Sequence, residues 1–505
     1  MSLRTLSIAD VIRRNARQFA GRTAFVFGDQ RITHDEYLVR AERLAAGLAG
    51  AGVAAGDRVG ILARNAPEYA DLCGAVAFLG AILLPVNWRL NADEITYVLN
   101  DGAPKLLIVD AEDQPRVGAI TGALPSITRY YGLGGHAAPF RPFAELTTSG
   151  AALPAVDVDA DEGYVIIHTA AVDGRPRGAL ISQSGLIAAG AQQLHYWQLD
   201  ERDVGLVAVP LFHVTGLGIA LTLQLAGGAS VVLSRFDPEE VARKIAAEKA
   251  TVFAEFAPML LGLLDKAKET GSDLGSLRVV TGLDTADTIG RFEAACPQAR
   301  FWAVYGQSET SGIVTAALWR DRPGSAGRAT FLNAVEVVDE LDQILPPGQV
   351  GEIVVRGPMV FRGYWRRDDD NAVTFRNGWH HTGDMGRFDA EGYLWYAGRS
   401  PAKELIKPGG ENVYPAEVEK VIREHAAITE CAVIGVPDPQ WGEAVKAVCV
   451  CRPGAAVTAA ELIDFVAGRV ARYKKPKHVV FVDALPRNPQ GAVDRAKIKE
   501  LHGAA

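Results

Sequence analysis

The sequence is poor in cysteine: Cys73, Cys296, Cys431, Cys449 and Cys451 are the only five among 505 residues. An odd, scattered set does not form a disulfide framework and points to a reducing compartment. Cys449 and Cys451, in "AVCVC", share one face of a strand, and no partners at metal-ligand spacing accompany them. Excess positive charge is also missing. With 52 basic against 60 acidic residues the formal charge is −8, and no long block of like charges occurs. The electrostatic footprint of a nucleic-acid binder is therefore lacking. Long apolar runs are absent too. The opening "MSLRTLSIADVIRRNARQFAGR" mixes charged and apolar residues and lacks the continuous apolar region of a secretion signal. The most membrane-like stretch, Leu72 to Leu84, is shorter than the ~20 residues a spanning helix needs and is closed by Pro85. It reads as a buried helix. A cytoplasmic protein with no integral membrane segment and no nucleic-acid partner is expected.

What is present is a large apolar fraction, 48 % of a chain too long for one compact core. Over the first 400 residues or so, helical patterns alternate with short apolar runs such as "KLLIVD" (105–110), "VGLVAVP" (204–210), "ASVVLS" (229–234), "ATVFAEF" (250–256) and "LRVVTG" (277–282). That alternation predicts α/β layers with largely parallel sheets. Near 335–356, "VEVVDE" and "PPGQVGEIVVRG" flank a Pro-Gly turn, as a small antiparallel β unit would. A Gly-, Pro- and Lys-rich stretch at 398–410 reads as a linker or hinge. The predicted organisation is a large multi-layer N-terminal domain with βαβ-type sheets plus the small β unit over 1–398, then a small mobile α+β C-terminal domain over 399–505.

Five short segments carry candidate chemistry. "HTAAVDGRPRG", His168 to Gly178, follows an apolar run. Its glycines let backbone amides point at an anion, and Arg175 and Arg177 add charge. An ordinary strand-to-helix turn has the same outline. "VYGQSET", Val304 to Thr310, places Tyr305 to stack on a base, Ser308 to bond a phosphate and Glu309 to hold Mg²⁺, a hard cation that prefers oxygen. A plain strand-end turn is the alternative. In "GWHHTGDMG", Asp384 stands between glycines on an expected tight loop, where an ionised carboxylate can accept both ribose hydroxyls or simply cap the turn. His380 and His381 are not spaced for a metal on a helix and read as structural. "PLFHVTG" carries His213, as a catalyst or a satisfied rim residue. "IKPGGENVYPAEVE" has a glycine pair that permits close backbone approach to a ligand, or a turn before a helix.

In their order these segments resemble the acyl-adenylate-forming superfamily, and "GGENVYPAEVE" resembles its acyl-CoA synthetase branch. The resemblance spans essentially the whole chain. It implies that a carboxylic acid attacks the α-phosphate of MgATP, giving acyl-adenylate and pyrophosphate, and that CoA then displaces AMP. The small domain rotates between the steps. Transferred residue by residue, the resemblance puts Thr169, Gly174, Arg177, Gly282, Tyr305, Gly306, Ser308, Asp384 and Arg399 around the nucleotide. Tyr305 would stack on adenine, Asp384 would hold the ribose and Glu309 would ligate Mg²⁺. His213 would gate the acyl site, Lys403 would lie at the hinge, and Gly409, Gly410 and Glu411 would meet CoA. ATP, Mg²⁺ and CoA are the implied cofactors and cosubstrate. A small-molecule carboxylic acid is the implied partner, and a homodimer is compatible.

The chain departs from the family pattern at three places. The phosphate loop commonly reads Thr-Ser-Gly-Ser/Thr-Thr-Gly-x-Pro-Lys-Gly. Here Thr169, Gly174, Pro176 and Gly178 match and Arg177 replaces the lysine, but 170–173 read Ala-Ala-Val-Asp. Hydroxyl donors are lost and an anion is added, so the loop reads as a phosphate loop of altered chemistry. The adenine-side loop reads "TGLDTAD", 281–287, where Gly282 aligns. Asp284 is expected to face solvent or a polar substrate group. Near the C-terminus, relatives read Pro-x-x-x-x-Gly-Lys-x-x-Arg. This chain has "PRNPQGAVDR", with Ala492 at the catalytic lysine's position. Alanine cannot offset developing charge, which implies a weakened first step. Natural divergence and an engineered substitution both account for it. A non-catalytic nucleotide or acyl-CoA binder on the same scaffold is the alternative reading. The mostly apolar "FAEFAPML" suggests an aliphatic or aromatic acid.

Overall fold

A computed structural model of the chain describes residues 6–169, 176–399, 405–487 and 493–504. Ala170 to Arg175 of the phosphate loop, with Gly174, then Lys403 and Ala492 lie outside the described residues.

Among the described residues the strands form four sheets. The apolar runs singled out in the sequence are strands, at Leu106–Asp110, Val204–Val207, Ala229–Val232, Val252–Phe256 and Val279–Leu283. They are buried on both faces, which is why they read as continuous apolar stretches rather than as alternation. The last four belong to a nine-stranded sheet that is parallel through its centre, and Leu106–Asp110 belongs to an eight-stranded one. Helices Ile8–Gln18, His34–Gly50, Pro67–Leu79 and Val214–Ala226 share one hydrophobic cluster with residues of both sheets. Helices Pro238–Glu248, Met259–Thr270 and Ala286–Ala295 cover the outer face of the larger sheet. Ala334–Val338 and Gly351–Arg356 pair antiparallel in the small β unit, with His380–Phe388 and Leu394–Arg399 completing its sheet. From residue 405 onward come Pro415–Arg423, the paired strands Ile428–Asp438 and Gly442–Cys451, Ala459–Ala467 and His478–Phe481. Two hydrophobic clusters are built only from residues of this last stretch. The layered α/β class and the α+β C-terminal part match the expectation.

Two local expectations are corrected. The apolar stretch 72–84 is not one helix. Helix Pro67–Leu79 stops at Gly80, which takes a left-handed φ of 62°, and Ile82–Pro85 is a parallel strand beside Arg58–Leu62. Asp284 is half-buried rather than fully open to solvent. Its Oδ2 is buried beside Glu255, a fully buried carboxyl that it contacts. Gly282 is required here. A Cβ at this position would lie 2.0 Å from the Glu255 carbonyl oxygen and 2.6 Å from its Oε1.

Burial, reinforced by Asp284, pushes the Glu255 pKa well above the usual carboxylate range. A folded-state pKa raised in this way favours the fold below the unfolded value of about 4.5 and erodes it as pH rises. Glu255→Gln is therefore expected to melt like the parent at pH 4 and to be more stable by about 1–3 kcal/mol at pH 8. Paired thermal melts check this, and a loss of stability at pH 8 would contradict it.

Candidate active site

A strand, not a helix, follows the phosphate-loop segment. Its described flanks are the antiparallel strands Gly163–Thr169 and Arg177–Ser182, and Thr169 stands directly opposite Arg177. These flanks are pinned by helix Ala92–Gly102. His168 Nε2 and Asp101 Oδ2 are 3.0 Å apart, and the Tyr97 hydroxyl donates to the Pro176 carbonyl at 2.9 Å. Arg367 bonds both Tyr97 and Asp101 from the other side.

Thr169 and Arg177 then meet the 304–310 segment. Glu309 is buried in a single 3-10 turn, Ser308–Thr310, at the end of strand Arg300–Gln307. Its Oε1 accepts from Thr169 Oγ1 at 2.8 Å and from the Tyr364 hydroxyl at 3.0 Å. Tyr364 sits in the short strand Gly363–Tyr364, paired with the loop's second stem. The guanidinium of Arg177 lies 3.9 Å from the centre of the Tyr364 ring and 3.3 Å from Asp370. Ser308 is half-buried beside Glu309. Gly306 lies at the crossing of strands Arg300–Gln307 and Gly312–Leu318.

Asp384 is not on a loop. It lies inside strand His380–Phe388, directly opposite Arg399 on Leu394–Arg399, beside a register shift that bends the strand. The flanking glycines suggested a turn, but they mark this irregular strand. Asp384 Oδ2 accepts from the Tyr305 hydroxyl at 2.8 Å and from Gln307 Nε2, and its Oδ1 is 3.4 Å from Arg399 Nε. Tyr305 is buried, with its ring 6.3 Å from that of Tyr396. His380 and His381 are buried, and His381 Nδ1 is 2.8 Å from Glu352, in keeping with a structural role.

Residues from 405 onward complete the cluster. Tyr414 is buried at the start of helix Pro415–Arg423, within electrostatic range of Arg399, Glu309 and Arg177. Gly409, at φ 57°, packs under Trp441, and Gly410 packs against the Phe256 ring. Phe256 is in turn edge-on to His213, with ring centres 5.5 Å apart. His213 caps helix Val214–Ala226, its Nδ1 accepting from Thr215 N at 3.2 Å. Burial, then the charges of Lys407 and Arg89, push the His213 pKa down to about 4, so its ring is neutral near pH 7. Glu411 is paired with Arg89 and Asn87. Lys474, almost fully buried, donates to Glu417 at 2.6 Å and to Glu94 on the same helix that pins the loop stems. The C-terminal part is thus seated with its Gly-Gly-Glu loop at the cleft. Arg487 and Val493, which flank the Ala492 segment, pair with one another, and Arg487 is bonded to Glu430.

The predicted residues Thr169, Arg177, Tyr305, Ser308, Glu309, Asp384 and Arg399 are therefore brought together. Gln307, Tyr364, Asp370 and Tyr414 join them without having been singled out. Gln307 and Tyr414 lie inside motifs named above, whereas Tyr364 and Asp370 depend on long-range pairing. Gly282 borders Glu255 rather than this polar cluster. Four buried polar atoms here have no hydrogen-bond partner: Arg177 Nε, Gln307 Oε1, Asp384 Oδ1 and the Tyr414 hydroxyl. Unpaired buried groups of this kind are costly unless a ligand satisfies them. Donors beside Thr169 and an acceptor at Asp384 fit a phosphate group and a ribose, respectively. Among the described residues no group of three or more His, Cys, Asp or Glu can hold a metal by itself. The single carboxylate of Glu309 fits Mg²⁺, which is commonly bound through one or two carboxylates together with substrate phosphates. A hollow of about 440 Å³ lined by Arg40, Arg43 and Gly132 to His136 shares no residue with this cluster. No helix among the described residues is long and apolar enough to cross a membrane.

The profile of the AMP-binding enzyme family matches residues 12–365, and that of the AMP-binding enzyme C-terminal domain matches 417–492. The chain is 36 % identical to an indoleacetate–CoA ligase of Aromatoleum aromaticum, over 98 % of both chains. It is 34 % identical to a feruloyl-CoA synthase of Amycolatopsis, over 97 % of this chain and 98 % of that one. Among solved structures, the amide bond synthetase McbA of Marinactinospora thermotolerans superposes with a TM-score of 0.89 at 25 % identity, over 99 % of this chain and 100 % of that one. The chain belongs to the AMP-binding enzyme family, within the acyl-adenylate-forming superfamily that its motifs resemble.

Proposed function

We propose that this protein is an AMP-forming acid–thiol ligase that makes an acyl-CoA. A carboxylate oxygen attacks the α-phosphate of ATP, the bond to pyrophosphate breaks, and an acyl-adenylate forms. The CoA sulfur then attacks the acyl carbon, AMP leaves, and the thiol proton passes to solvent. The observation that carries this reading is the convergence of Thr169, Arg177 and Glu309 with Asp384 and Arg399, while Gly410 packs against Phe256, which is edge-on to His213. In this reading Asp384 accepts from the ribose, Arg177 meets phosphate oxygens, and Glu309 holds Mg²⁺, which supplies charge neutralisation at the phosphates. His213 and Phe256 border the acyl group, and the glycine pair lets the thiol arm approach. The aromatic pair, together with the indoleacetate and feruloyl names of two relatives, favours an aromatic acid as substrate.

A division at 398/399 is proposed for the domains, with the small one rotating between the two steps about a hinge near Lys403. The separate clusters beyond 405 support it. Ala492 is proposed to slow adenylation while leaving thioester formation intact. The test is pyrophosphate release from MgATP and CoA with a panel of aryl, arylacetic, cinnamic and alkanoic acids. Release that depends on one acid class is expected. Nucleotide binding with no release for any acid, even in Ala492→Lys, would favour a non-catalytic binder.

A further inference from the structure

Tyr364 lies outside every motif that suggested the function, yet it touches two of that function's principal residues. Its hydroxyl donates to Glu309 Oε1 at 3.0 Å, on the same oxygen that Thr169 Oγ1 reaches at 2.8 Å. Its ring carries the guanidinium of Arg177 at 3.9 Å. The tyrosine is itself fixed. Its strand pairs with Arg177–Ser182 in register Tyr364 to Ala179, its amide donates to Asn371 Oδ1 at 2.6 Å, and Phe361 packs edge-on at 4.8 Å. It is 3 % exposed, so neither its ring nor its hydroxyl has room to turn elsewhere.

Both donors converging on one carboxylate oxygen fix the rotation of the Glu309 carboxyl plane. An ionised carboxylate has spare acceptor sites, so holding Oε1 sets the direction in which the rest of the group faces. The arginine contact has a different physical basis. A planar guanidinium stacks on an aromatic face in a way a compact ammonium does not. Arg177 stands where relatives carry lysine, and its Nε is buried without a hydrogen-bond partner. Stacking on Tyr364 and pairing with Asp370 hold the cation at the loop stem while leaving that N–H to be satisfied.

We propose that Tyr364 is a positioning residue of the nucleotide site: its hydroxyl orients Glu309 toward the metal side, and its ring holds Arg177 toward the phosphates. This rests on the nucleotide reading of the site. The two arms are separable by chemistry. Tyr364→Phe removes the hydroxyl and keeps the ring, and Arg177→Lys keeps the charge and loses the stacked plane.

The experiment is calorimetric binding of ATP to the full chain, with Mg²⁺ and with EDTA, for the parent, Tyr364→Phe, Arg177→Lys and Tyr364→Leu. In Tyr364→Phe the affinity gained from Mg²⁺ should fall by about tenfold, with metal-free ATP binding changed less than about twofold. In Arg177→Lys metal-free binding should weaken while the gain from Mg²⁺ persists, and Tyr364→Leu should show both losses. Thermal melts identify folded variants, and Thr169→Val, which removes the other donor to Oε1, should reproduce the Mg²⁺ effect of Tyr364→Phe. An unchanged Mg²⁺ gain in folded Tyr364→Phe and Thr169→Val, beside a parent that shows it, overturns the positioning role alone. A parent that binds no ATP under either condition overturns the nucleotide reading and this proposal with it.

Discussion

Ala492→Lys is expected to raise pyrophosphate release by about 10²–10³-fold, the usual worth of one preorganised donor aimed at developing charge. The effect is electrostatic. Attack on the α-phosphate moves negative charge onto oxygens that water has been excluded from, where a fixed cation counts far more than in solution. Arg177 is held at the loop stem by Tyr364 and Asp370, where it serves the phosphates rather than taking the lysine's place. Arg495, three residues after Ala492, is also committed: it donates to Glu419 at 2.5 Å and to the Val433 carbonyl at 2.9 Å. The gain should appear in kcat of the first step with little change in thioester formation from supplied adenylate. A change below about threefold in the first step would mean that some other group already supplies that charge.

The second large effect is at Glu309. Glu309→Gln should lower pyrophosphate release by about 10²-fold or more, measured in the Ala492→Lys background so that the starting rate is high. The side chain stays the same size, and its amide oxygen can still accept from Thr169 and Tyr364. The fold and the position of the group are therefore kept while the anionic ligand is lost. Raising Mg²⁺ should recover part of the rate. A melting temperature close to the parent's, with a fall of less than threefold, would show that the buried carboxylate serves structure and that the metal is held elsewhere.

Much of the fold is legible in the sequence because its strands are buried on both faces. Runs such as "KLLIVD" and "LRVVTG" have few other places to go in a folded chain. The stretch from Leu72 to Leu84 misleads for the same reason. Helix and strand are both fully buried there, periodicity carries no information, and only Gly80 marks the break. The site is partly legible. Motif residues such as Thr169, Glu309 and Asp384 announce their chemistry, but Asp384 looks like a loop residue because its glycines resemble turn glycines. Tyr364 is silent. Its role comes from contacts across long sequence separation, such as the 55 residues between it and Glu309. Asp284 misleads for a third reason: its partner, Glu255, sits in a run that otherwise reads as apolar core.

The most direct measurement supplies the intermediate and omits the altered loop and Ala492 from the question. Indoleacetyl-, feruloyl- and octanoyl-adenylate are each mixed with the chain and CoA, and acyl-CoA and AMP are followed by mass spectrometry. Equal amounts of acyl-CoA and AMP from at least one adenylate, much faster than without protein, are the predicted result. The rate should fall when Gly409→Val places side-chain atoms where Trp441 now packs, 2.8 Å from a Cβ at that position. Release of AMP with free acid and no thioester from any adenylate would contradict a cleft built to pass an acyl group to CoA.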